Sequence, residues 1–230
     1  LNQLADGFDA ATVLPVSTAP ISDTANVQHW VEVDADKLQQ AGVSVVNILA
    51  DDPLKTTQGG EVVVNADAEL TVKAGGQINL TGARVSIDGK LTAPAGAINI
   101  TATGRTFVPG STSAASAAPS GDITLGEHAL LSARGQWVND TGLDADQRAG
   151  SAYVNGGTVS LVTQQNAFSA PPDANGQIIS TDTTGSITLS KGSLIDVSSG
   201  GRVSPGGTVA QKNMIPQAKG GSISLQTYVP

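Results

Sequence analysis

The chain has 230 residues, 12 basic against 20 acidic side chains, a net charge of −8 and no cysteine. That charge lacks the clustered Lys and Arg excess needed to neutralise phosphates, so nucleic acid is not an expected partner. Without cysteine, disulfide scaffolds, thiol nucleophiles and thiolate metal sites are excluded. With 39% apolar residues but 3% aromatics and 27 glycines, a core of stacked small aliphatics is expected.

Residues 1–58 are irregular. Leu1 opens neither a signal peptide nor a natural start, so the chain reads as a segment of a longer polypeptide. Leu1 to Asp23 forms a loosely packed lead-in, Trp30-Val31-Glu32-Val33 alternates, Ala35 to Gln40 reads as a helical turn, and Val43 to Ile48 alternates again. One or two irregular coils are expected here, leading into a single continuous solenoid over residues 59–230. No run reaches the roughly 18 apolar residues of a membrane span, so membrane insertion is not expected.

From Gly60 onward one unit recurs. A glycine, one polar or small residue, then two aliphatics separated by one residue appear at Gly60 with Val62 and Val64, Gly76 with Ile78 and Leu80, and Gly96 with Ile98 and Ile100. The series continues at Gly121 with Ile123 and Leu125, Gly157 with Val159 and Leu161, Gly185 with Ile187 and Leu189, and Gly221 with Ile223 and Leu225. Alternation at period two marks strands with one buried face. A second strand follows at Leu70 and Val72, at Val85 and Ile87 through a tighter turn, at Leu131 and Ala133, and at Ile195 and Val197. Each unit therefore carries two strands. The best internal match lays Gly121 to Leu125 on Gly185 to Leu189 and Leu130-Leu131 on Leu194-Ile195; with one inserted residue, Gly135 to Asn139 then falls on Gly200 to Ser204.

The glycine spacings of 16, 20, 25, 36, 28 and 36 drift too widely for a propeller or a helical repeat. A solenoid absorbs such drift as loops leaving one corner. An all-β fold is expected, a right-handed parallel β-helix of roughly ten coils rising about 4.8 Å each, about 50 Å in all. The alternative is an antiparallel β-sandwich, which also strings short strands at regular intervals but does not produce the same glycine-to-strand offset in distant units. Three polar, Pro- and Gly-containing segments read as loop excursions, Arg105 to Ser120, Val138 to Asn155 and Thr163 to Thr184.

The stretch Gly59 to Gly104, the run Gly192 to Val203 (GSLIDVSSGGRV), the segment Gly135-Gln136-Trp137-Val138-Asn139-Asp140, and Ala35 to Gly42 (ADKLQQAG) followed by an alternating strand resemble the filamentous haemagglutinin family, the large exoproteins of bacterial two-partner secretion. About three-quarters of the chain is covered, by motifs that are structural and degenerate. The resemblance implies a right-handed parallel β-helix, export through an outer-membrane partner pore, and an extended fibre, cell-attached or released. The family's secretion domain bears Asn-Pro motifs; no Asn here precedes Pro, which points to an internal part of the shaft or a region near the fibre's working end.

Catalytic signatures are absent from the sequence. There is no G-x-S-x-G elbow, no G-x-G-x-x-G, and Gly89-Lys90 lacks the upstream glycine of a P-loop. His29 and His128 lie 99 residues apart and form no His-x-x-x-His pair. The carboxylates Asp34 and Asp36, Asp51-Asp52, and Asp140, Asp144 and Asp146 form local clusters that suit solvated turns and corner caps, with calcium binding or paired acid and base chemistry as the functional alternatives. Neither an EF-hand loop nor a Gly-Gly-x-Gly-x-Asp repeat is present. Trp30, Trp137, Tyr153, Phe168 and Phe107 suit corner covers; exposed, they would stack on sugars. The Asn-x-Thr triplets at Asn79 and Asn99 fall inside strands and read as ladder residues bonding their own kind between coils.

No catalytic, cofactor-binding or metal residue is assigned, and no cofactor is expected. The expected function is a non-enzymatic segment of a secreted, surface-associated adhesin-like exoprotein, a rigid shaft whose loops, chiefly Thr106 to Ser120 and Asp140 to Tyr153, are available for attachment to a host cell, a bacterial cell or a polysaccharide. Its partner for export would be the outer-membrane pore. The alternative is a carbohydrate-active β-helix lyase or hydrolase, motivated by the carboxylate clusters; a haem or small-ligand scavenger finds no concentrated His, Tyr or Met site.

Overall fold

The structure, a computed structural model, describes residues 32–50, 60–104, 121–164, 167–169, 180–182, 184–209, 211–212 and 215–229. The excursion Arg105 to Ser120, with Thr106 to Ser120 and Phe107, lies outside them, as do His29, Trp30 and Asp51-Asp52. The described elements are helix α1 (Ala35–Gln40) and strands β1 (Val45–Ala50), β2 (Glu61–Val64), β3 (Glu69–Thr71), β4 (Gln77–Gly82), β5 (Arg84–Ile87), β6 (Lys90–Thr92), β7 (Ala97–Ala102), β8 (Ile123–Leu125), β9 (Leu130–Ser132), β10 (Trp137–Asn139), β11 (Thr158–Gln164), β12 (Ala167–Ser169), β13 (Ser180–Asp182), β14 (Ile187–Leu189), β15 (Leu194–Asp196), β16 (Gly201–Val203), β17 (Gln211–Lys212), β18 (Ile215–Pro216) and β19 (Ser222–Val229).

Three sheets dominate. Sheet A runs β1-β4-β7-β11-β19, sheet B β2-β5-β8-β14 and sheet C β3-β6-β9-β15, and their strand pairs are all parallel. Parallel pairing overturns the antiparallel sandwich alternative. Antiparallel pairs occur in two small ribbons, β12 with β13 and β17 with β18, and in the bridge between Val203 and Val209. A smaller parallel sheet D joins β10 to β16. Along the chain, the strands visit A, B and C in that order four times, and β19 returns to A.

Three expectations are corrected. A repeat carries three main strands, not two: the glycine motif serves sheet A at Gly76, Gly96, Gly157 and Gly221 but sheet B at Gly60, Gly121 and Gly185. Val85 and Ile87 are accordingly not a shortened second strand; they pair with Val62 and Val64 in sheet B, and the sheet C position is held by Leu91, which pairs with Leu70. The described stack has four strands in B and C and five in A, a height of about 20 Å at the usual strand separation rather than 50 Å. The inserted residue does not exist either. Trp137 pairs with Gly201 and Val138 with Arg202, 64 residues apart, the same offset that relates Ile123 to Ile187, Leu130 to Leu194 and Thr158 to Ser222.

The inward side chains of all three sheets belong to one buried cluster. Ile78, Ile98 and Val159 stack in one column of sheet A and Leu80, Ile100 and Leu161 in the next, all buried. Small aliphatics suffice because each is covered above and below by its counterpart in the neighbouring repeat. Helix α1 starts at Asp34, whose side chain accepts a hydrogen bond from the Lys37 amide (3.2 Å), the expected N-cap chemistry. Its Ala35 and Leu38 pack against the core at the β1 end. At the other end Ile223 and Leu225, register partners of Val159 and Leu161, are about half exposed, at 47% and 48%.

The leading glycines of sheet A form their own column. A Cβ on Gly96 would lie 2.1 Å from the carbonyl oxygen of Gly76, one on Gly157 1.9 Å from that of Gly96, and one on Gly221 1.8 Å from that of Gly157. Glycine recurs here because backbones of successive repeats approach too closely for any side chain.

On the outer face of sheet A the expected ladder is present. Asn79 Nδ2 donates to Asn47 Oδ1 (2.7 Å), and Asn99 Nδ2 donates to Asn79 Oδ1 (2.8 Å). Asn79→Ala removes both bonds, and at about 1 kcal/mol per bond it is expected to lower stability by roughly 1 to 2 kcal/mol in urea denaturation. Asn47→Ala, which breaks one bond, is expected to cost about half as much.

Candidate functional site

Among the described residues the carboxylates with lowered pKa and their partners gather chiefly at the turn from sheet B to sheet C and in the Val138 to Asn155 excursion with sheet D. In the first, Asp88 follows β5 and His128 precedes β9, at matching corners of adjacent repeats. Asp88 Oδ1 accepts from the His128 amide (3.0 Å), and Oδ2 lies 3.2 Å from His128 Nδ1; Glu127 Oε1 lies 3.5 Å from Nε2. The His128 amide and ring hold the Asp88 carboxyl below its ordinary value. A Cβ on Gly126 would fall 2.1 Å from Asp88 Oδ1, so the glycine makes room for the capping carboxylate. His128 is a corner residue bonded to the preceding repeat.

The second place is built on β10. Asp140, one residue beyond that strand, is fully buried and receives Arg202 Nε of β16 at 2.7 Å. Its oxygens also accept from the amides of Ala149 (3.0 Å) and Gly150 (3.2 Å), folding the excursion back on itself. Burial alone would raise the Asp140 carboxyl; the Arg202 guanidinium and the two amides outweigh it and hold the group below its ordinary value. Asp140 is therefore a structural tie between repeats, not a free acid. Its predicted companions do not join it: Asp144 receives the Gln147 amide at its backbone carbonyl, and Asp144 and Asp146 are exposed. Among the described residues no three Asp, Glu or His side chains converge as a metal site, and no helix is long and apolar enough to cross a membrane.

Acid should loosen this region first. The carboxyls of Asp88, Asp140 and Asp196 are all held below their ordinary value, that of Asp196 chiefly because it bonds the side chain and amide of Ser198. A depressed carboxyl stabilises the fold above its unfolded pKa, and that contribution is lost as pH falls through the folded value. Amide exchange of residues 141–151 is therefore expected to be flat from pH 7 to about 5 after correction for intrinsic rates, and to accelerate below pH 4. Asp140→Asn should show accelerated exchange at pH 7 already, with the acid step reduced.

The aromatics divide. Tyr153 lies over the turn at Gly75, between β3 and β4, where an added Cβ would be 2.8 Å from its Cε1, and it keeps 43% of its surface exposed. Trp137 departs from the expected corner cover, standing on β10 with 60% of its surface exposed. A shallow cleft of about 170 Å³, which shares Gly201 with the seat of the ring, is lined also by Ser151, Asn155, Arg202 and Gln217 among others. Asn155 Oδ1 accepts from the Lys219 amide (2.9 Å), again across 64 residues. Sequence reasoning selected Asp140 and the excursion but missed Arg202 and Asp88; the uninterrupted 64-residue offset was the signal that places Arg202 beside Val138. Compared with known proteins, the chain matches no family model, no curated protein and no solved structure.

Proposed function

We propose that the chain is a right-handed parallel β-helix forming an internal shaft segment of a secreted filamentous exoprotein of the two-partner secretion type, non-enzymatic, with the Val138 to Asn155 excursion available for attachment to a cell or polysaccharide. The observation that carries the reading is the recurrence of A, B and C strands in unchanged order and register over one shared core. Right-handedness follows from the strong preference of parallel crossovers. Export through an outer-membrane pore and a surface location rest on the sequence resemblance. The chemistry of the interior supports a mechanical role: each repeat buries too few aliphatics to stand alone and is stabilised by the next.

The test exploits the 64-residue offset. Three further copies of residues 121–184, inserted in frame after Thr184, should each add one layer, lengthening the molecule by about 14 Å in cryo-electron microscopy and raising its denaturation midpoint. Aggregation or a loss of cooperative unfolding would show that the sheets close into a finite domain, and the shaft reading would fall.

A further inference from the structure

We infer that the face of sheet D carrying Trp137 and Asn139 is a binding site for a neutral hexopyranose chain, with the indole as its stacking platform. The inference rests on the shaft-and-display reading and adds to it a ligand class and the residues that meet the ligand. It begins from a cost. Among the described residues Trp137 is the largest of the exposed apolar side chains, and an indole in water forgoes the burial that normally accompanies so large an apolar surface. Of the other exposed apolars, Ile223, Leu225 and Leu189 are core-facing positions at the end of the stack, while Leu49, Val63 and Leu194 are single aliphatics on the outer faces of their strands. Trp137 is an outward-facing indole: its strand is paired with β16, and its neighbour Val138 turns to the other face and is partly buried.

The ring is nevertheless seated. Gly201 is its register partner, and a Cβ there would lie 2.6, 2.7 and 3.0 Å from Cζ3, Cη2 and Cε3. The benzo ring thus occupies the space that any other residue at 201 would fill. The strand beneath it is held by β16 and, one residue ahead of it, by the bond from the Gln136 amide to the Tyr153 carbonyl (2.7 Å). A rigid, half-exposed aromatic platform binds without paying to order itself.

The neighbours define the ligand. Asn139, two residues along β10, shares the face with Trp137 at about 7 Å, close to the width of one sugar ring. Its Oδ1 accepts from the Thr141 amide (3.1 Å), which orients the side-chain amide and leaves Nδ2 to donate to a hydroxyl. A pyranose offers the complement, an apolar C–H face for the indole and a rim of hydroxyls for the amide. Arg202, which lines the cleft and is the register partner of Val138 on the other face of the sheet, is committed to Asp140, and the chain carries a net charge of −8. Both disfavour uronates and sulfated sugars, so the ligand is uncharged.

Trp30→Phe leaves Trp137 as the only indole of the two in the chain. In that background the full chain is titrated with cellohexaose, mannohexaose and β-1,4-galactohexaose, with hexagalacturonate as the anionic control. At least one neutral hexasaccharide should shift the Trp137 emission saturably. In calorimetry with wild-type Trp30, Trp137→Ala should weaken that affinity at least tenfold, Gly201→Ala should weaken it by displacing the ring, and Asn139→Ala should weaken it by roughly threefold, each with an unchanged circular dichroism spectrum. The site is overturned if the folded chain binds none of the neutral sugars, if Trp137→Ala binds as well as the parent, or if the galacturonate binds more tightly. Elongation of the tandem-copy variant without sugar binding would remove this site and leave the shaft; misfolding of that variant with Trp137-dependent binding would do the reverse.

Discussion

Gly157→Ala is expected to be among the most damaging single methyl groups that can be added to this protein, costing about 3 kcal/mol or more. The added Cβ would stand 1.9 Å from the Gly96 carbonyl oxygen and 2.7 Å from the Gly96 nitrogen, and both are backbone atoms inside a ladder, unable to move without breaking register. The carbonyl in question accepts the Thr158 amide (2.9 Å), so relief of the clash costs a sheet A hydrogen bond. Gly206→Ala is the control, since the nearest atom to its new Cβ is Ser204 Oγ at 3.9 Å; it should change stability by no more than about 0.5 kcal/mol. Urea midpoints of the two variants, measured with unchanged m-values, check the difference. Equal effects would mean that the glycine column is there for flexibility rather than for close approach.

Ile100→Ala is the second large effect, about 3 to 4 kcal/mol. Ile100 is fully buried and lies between Leu80 and Leu161 in adjacent strands of sheet A, so the cavity is walled by rigid neighbours and collapses little. Leu225→Ala, two strands further along the same column, removes a side chain that is already 48% exposed and should cost only about 1 kcal/mol. The contrast reads the direction of the stack. Stability in such an array is a sum of contacts between neighbouring layers, so a middle layer loses two interfaces and an end layer one. A Leu225 variant as damaging as Ile100→Ala would show that something covers the β19 end in solution.

The candidate site was only partly legible. Asp140 stood out because three acids fall within seven residues, yet proximity in sequence misled as to chemistry. The partner that matters is Arg202, 62 residues away, and its placement depends on strand register across a repeat boundary. Likewise, nothing in the residues around Trp137 distinguishes a ring folded over a corner from one standing in water; Gly201 decides it. Asp88 and His128 meet for the same reason, through matching turns 40 residues apart.

The periodicity itself was readable because it is local chemistry. Alternating aliphatics behind a glycine dictate strands with one buried face, and their recurrence dictates a stacked core of small side chains; the helical turn at Ala35 to Gln40 follows from equally short-range rules, and the Asn ladder from the same recurrence, since Asn79 and Asn99 hold the same place in successive copies of the motif. What the residues alone did not decide was which sheet each strand joins. Gly60-x-Val-x-Val and Gly76-x-Ile-x-Leu are the same motif, but one opens a sheet B strand and the other a sheet A strand, because sheet membership is set by the corner preceding the strand and by the register of the layer below. Those are contacts between residues 20 to 64 positions apart. The number of layers, the pairing of Asp140 with Arg202 and the exposure of Trp137 all depend on that long-range register, and only the tertiary structure supplies it.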